Sequence, residues 1–107
     1  MADRTPLRPS VERLAGRLRA LPQRRLQAGA AAEGLALARW LARQAQALEF
    51  PGREPYELPD DGVFTVGDQL SVAGNDLAAA LEADPAGTAE VCAAALQRVS
   101  AAAKAIG

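Results

Sequence analysis

Side chains able to do chemistry are scarce in this chain. There is no histidine, so imidazole acid–base catalysis and imidazole metal ligation are both excluded. The single thiol, Cys92, lies in the run Glu90-Val91-Cys92-Ala93-Ala94-Ala95. With no histidine to take its proton, it reads as a core thiol that packs like a small hydrophobe. Gly62, Gly67 and Gly74 have neither the spacing nor the lysine of a phosphate loop. Four carboxylates, Glu54, Glu57, Asp60 and Asp61, crowd one segment. A carboxylate pair does general acid–base work when its environment splits the two pKa values. Such a cluster also suits Mg²⁺ or Ca²⁺, but the spacing of an EF-hand is absent. The plainer expectation is a solvated loop. The chain is thus expected to have no catalytic residues, no cofactor and no resident metal, with a small ligand or metal at the acidic loop as an alternative.

Recognition chemistry is better represented. All four aromatic residues, Trp40, Phe50, Tyr56 and Phe64, fall between positions 40 and 64. Arg39, Arg43 and Arg53 flank them. Tryptophan, tyrosine and arginine are the residues in which protein interfaces concentrate their binding energy. Two arrangements fit: a loop whose rings fold back as a satellite core at the bundle end, or an exposed anchor for another protein. If the second holds, the contact residues are Trp40, Arg39, Arg43, Tyr56 and Arg53.

Charge is segregated along the chain. Residues 1–53 carry a formal +6 and residues 54–107 a formal −7, within a net charge of −1. The simplest consequence is a basic half packed on an acidic half; self-association is a second. The third is a phosphate track on nucleic acid, for which the candidates are Arg13, Arg17, Arg24 and Arg25. The acidic pI and the single lysine argue against that third use.

The elements that position these residues are helical. Alanine occurs 26 times and leucine 14 times, a composition with strong helix propensity and low side-chain entropy cost. Eleven arginines against one lysine, with the alanine excess, is the bias of a high-GC bacterial genome. Residues 1–9 read as a flexible arm. Ser10 is placed as the cap of a first helix with Val11, Leu14, Leu18 and Leu21 on one face, ended by Pro22. A second helix runs from Gln23 to Glu49, with Leu26, Ala30, Gly34, Leu37, Leu41 and Leu48 inward and Leu35 on a smaller opposite face. Residues 50–62 hold three prolines and two glycines and form a loop. Thr65 is the expected cap of a third helix with Val66, Leu70, Ala73, Leu77 and Leu81 inward. Gln69, Val72 and Asp76 form a polar flank beside that stripe. The turn Asp84-Pro85-Ala86-Gly87 leads to a fourth helix over 89–105, capped by Thr88 or Asp84 and carrying Cys92, Ala95, Leu96, Val99, Ala103 and Ile106 inward.

These readings converge on one all-α domain over residues 1–107, a small antiparallel bundle of three to four helices without a sheet. No stretch is long and apolar enough to span a bilayer, and no signal sequence is apparent. A single cysteine is compatible with a reducing cytoplasm. The function expected is binding to another protein, as an adaptor or regulatory accessory subunit, with a second copy of the chain as one possible partner.

Overall fold

The computed structural model describes residues 7–107. It is all-helical among those residues, with no strand. Helix α1 spans Leu7–Ala20. After Pro22 come a single turn, α2, Gln23–Arg25, and a widened π-type segment, Leu26–Ala30. Helix α3 spans Ala31–Glu49, α4 Val66–Ala83 and α5 Ala89–Ile106. The all-α bundle expected from the apolar periodicity is what forms.

Several local expectations are revised. Part of the expected arm, residues 1–6, lies outside the described residues. Its remainder, Leu7, Arg8 and Pro9, is the first turn of α1. Leu7 sits one turn before Val11 and is buried with it, and proline, which lacks an N–H, is tolerated in a first turn because no intrahelical acceptor needs one there. Ser10 therefore lies inside the helix. The long second helix is interrupted at Gly29, whose φ of 144° and ψ of −20° kink the chain. The apolar period continues across the kink, which is why the sequence pattern does not reveal it. Thr65 and Thr88 do not cap. Their hydroxyls turn back and donate to Gly62 O (2.9 Å) and Asp84 O (2.6 Å). Leu48 is exposed rather than inward.

The contacts fix the direction of each helix. Val11 meets Gly74, Ala15 meets Gly67, and Arg8 pairs with Glu82, so α1 and α4 run antiparallel. Gly34 meets Val66, while Ala42 sits level with Val72 and Ala73. Helices α3 and α4 therefore run in the same sense. A parallel pair needs a return connection, and residues 50–65 supply it by running back along α3. The short turn after Ala83 reverses α5 against α4. Around the bundle the order is α1, α4, α3, α5, each packed on the next and α5 on α1.

Buried leucines from α1, α3 and α4, with Val99 and Ile106 from α5, fill the centre, and Leu41, Leu70 and Leu77 are fully enclosed. Each contributes about 2 kcal/mol by leaving water. Helix α3 packs on both α4 and α5, consistent with its two apolar faces: Leu37 and Leu41 are buried, and so is Leu35. Close approach is made by glycine. A Cβ at Gly74 would lie 2.8 Å from Val11 Cγ2, one at Gly67 2.9 Å from Arg19 Cγ, and one at Gly34 2.7 Å from Val66 Cγ1. Gly67 and Gly74 are two turns apart and face α1 together.

Candidate functional site

The connection between α3 and α4 is an ordered strap, held by its main chain. Gln46 accepts a hydrogen bond from Tyr56 N at 2.6 Å and donates one to Tyr56 O at 2.9 Å. Arg39 Nε donates to Leu58 O at 2.8 Å, and Gln69 Nε2 to Pro59 O at 2.9 Å. Side chains of both helices thus reach the strap from either side of their seam. Prolines in this segment remove backbone donors and hold the chain extended. The polar side chains of Gln46, Arg39 and Gln69 supply the partners that a sheet would otherwise provide.

Rings do not pin the loop. Phe50, Tyr56 and Phe64 are 50%, 66% and 66% exposed. The satellite core that the clustering suggested is therefore not built. Trp40 behaves differently. It is half-buried against the core, and the Arg98 guanidinium stacks over it at 4.6 Å from the ring centroid. That cation–π contact ties α3 to α5. Among the residues named from sequence, Tyr56 is fully presented. Arg53 lies 5.1 Å from the Phe50 ring centroid. Arg39 and Arg43 both face Glu57, at 3.8 and 3.6 Å. Phe50 and Phe64, which the sequence reading did not single out as contact residues, are also exposed, Phe64 as much as Tyr56. Position relative to the apolar stripe gave no signal for them, because neither lies in a helix.

Two of the four loop carboxylates, Glu57 and Asp60, have structural partners. Glu57 takes the two arginines, and Asp60 Oδ1 accepts from Gly62 N at 3.0 Å, closing a local turn. Among the described residues no three side chains of the His/Cys/Asp/Glu types gather as a metal site. Cys92 is half-buried against the core.

The arginines proposed from sequence for nucleic acid are divided. Arg17 donates to Ala103 O (3.4 Å) and to Gly107 O, and Arg25 donates to Ile106 O (3.0 Å). These oxygens lie at the negative end of the α5 dipole; Ala103 O also accepts from Gly107 N, whereas Ile106 O and Gly107 O lie beyond the last intrahelical bond. Two of the four candidates thus terminate a helix. Arg13 and Arg24 are exposed. The remaining ion pairs, Arg8–Glu82 and Arg19–Asp68, also join the basic half to the acidic half.

Glu12 belongs to the α1/α4 contact. The Ser71 hydroxyl donates to its carboxylate, Asn75 Nδ2 donates at 2.8 Å, and Arg19 adds a favourable charge. These hold its pKa below the usual glutamate value, the Ser71 bond contributing most.

No protein-family model matches the chain, and neither a curated protein nor a solved structure matches it significantly. Among the described residues no helix is long and apolar enough to cross a membrane.

Proposed function

We propose that this chain is a non-catalytic binding protein, an adaptor or regulatory accessory subunit, which contacts another protein through the rings of the α3–α4 strap. One observation carries the reading. Every exposed large hydrophobic among the described residues, Leu48, Phe50, Tyr56, Phe64 and Val72, lies on or beside this connection. The backbone beneath them is tethered by side-chain hydrogen bonds, so the rings are offered on a pre-ordered support. Pre-ordering lowers the entropy cost of association, and aromatic side chains give large contact area with few rotatable bonds. Trp40, engaged with Arg98 and the core, belongs to the scaffold in this reading, and Arg39 and Arg43 hold the strap in place.

The experiment is capture from source-cell lysate by the parent chain and by the triple variant Phe50→Ala, Tyr56→Ala, Phe64→Ala, with and without nuclease. The triple variant should keep its helicity and melting temperature and lose the captured protein. Capture equal to that of the parent would remove the reading. Capture that disappears on nuclease treatment would assign the contact to nucleic acid instead.

A further inference from the structure

Helix α4 carries a ridge that its own chain leaves uncovered. Asp68, Val72 and Asp76 recur every four residues and so stand in a row along one face. Val72, in the middle, is 62% exposed. Asp76 is exposed and makes no ion pair among the described residues, while Asp68 shares the Arg19 guanidinium at 2.8 Å. Beside the row, Gln69 Oε1 is buried with no donor among the described residues. The row is therefore apolar at its centre, with the unpaired Asp76 at one end and the Arg19-paired Asp68 at the other, and flanked by an unused acceptor.

On the opposite edge of the bundle, the α1/α5 seam opens into a groove of roughly 260 Å³. Leu14, Leu96, Val99 and Ala103 form its apolar floor, and Arg13 and Arg17 stand on its rim. Arg13 has no carboxylate partner among the described residues, and Arg17 reaches backbone carbonyls only. The other cross-chain charges are already matched within the molecule: Arg8 with Glu82, Arg19 with Asp68, and Arg39 and Arg43 with Glu57. What remains is a ridge with an apolar knob and the unpaired Asp76 on one edge and an arginine-rimmed apolar groove on the other.

We propose that the α1/α5 groove receives the Asp68, Val72, Asp76 ridge of a second copy of this chain. Val72 enters the floor between Leu14 and Val99, and Asp76 meets Arg13 on the rim. Ridge and groove lie on opposite edges, so the contact is heterologous. It adds copies head to tail and does not close as a two-fold dimer.

The test is sedimentation of the whole chain over the ~1 μM to ~1 mM range in which weak contacts register. The weight-average mass should climb with concentration past twice the 11.1 kDa of one chain, and salt should lower it. Val72→Lys removes the ridge and leaves the groove; Arg13→Glu removes the groove and leaves the ridge. Both positions are exposed, so circular dichroism should match the parent. Each variant alone should self-associate about tenfold more weakly or less. Mixed in equal amounts they should form a pair that stops at two chains, because one intact ridge meets one intact groove. A parent that stays monomeric throughout overturns the proposal. So does association that survives either substitution, or a mixture of the two variants that fails to pair.

Discussion

A methyl group at Gly74 would collide with Val11, whose side chain is fully buried and has nowhere to move. Gly16 offers the contrast: it lies exposed within α1, and a Cβ there meets nothing within 4 Å. Gly74→Ala should therefore cost about 1–3 kcal/mol by overpacking. Gly16→Ala should add about 0.5–1 kcal/mol, since alanine restricts the unfolded chain and favours helix. Urea midpoints of the two variants check this, and a shift of both in one direction would refute the close-contact explanation. Sequence marked Gly74 only as a weakness in a helix; that it is a point of contact depends on which residue arrives opposite. Glu12 makes a second prediction at this scale. Its pKa is lowered in the fold by Ser71, Asn75 and Arg19. The stabilisation it gives is thus complete above the unfolded-state pKa and disappears as the pH falls through the folded value. The stability gap between the parent and Glu12→Ala should be widest near neutral pH and close in acid. A gap that does not change with pH would show that the carboxylate charge is irrelevant to the α1/α4 contact.

Among the elements, the strap has the least regular structure and the most specific tethering. Its loop character was legible from Pro51, Pro55, Pro59, Gly52 and Gly62, which exclude helix and sheet. Its path was not, because it depends on Gln46 and Arg39 meeting main-chain groups some ten to twenty residues further on. Gln46→Ala removes the donor and acceptor that Tyr56 uses. Hydrogen exchange at the Tyr56 amide should then accelerate on the order of tenfold, with the α3 core amides unchanged, as expected for a local opening. Unchanged exchange at Tyr56 would mean that Arg39 and Gln69 alone hold the strap. Helices α1, α4 and α5 were legible to within a few residues, since each has a clear apolar stripe and a proline or glycine near an end. The kink at Gly29 was hidden because a backbone conformation open to glycine leaves no trace in hydrophobic period.

At the scale of the molecule, the two charge halves of the sequence become two surfaces that meet. Arg8, Arg19, Arg39 and Arg43 from the basic half all find carboxylates in the acidic half. Arg17 and Arg25 neutralise the carbonyl end of α5. Exposed pairs of this kind contribute little stability each, about 0–1 kcal/mol, so their larger effect is on which helices pair and in what direction. Composition and period by themselves determined the class: alanine and leucine at helical spacing point to a helical bundle, and the lack of histidine removes imidazole chemistry. Local sequence also determined where α1 ends and where the strap and the α4–α5 turn lie, though not the kink at Gly29, because proline and clustered glycine act on their own residues. Tertiary structure alone decided that α3 and α4 run the same way, that Trp40 faces inward while Phe50, Tyr56 and Phe64 face out, and which arginines remain unpaired. The reason is physical: propensity and periodicity act over one or two turns, whereas burial and charge pairing are settled by the neighbour that packing brings from a distant part of the chain.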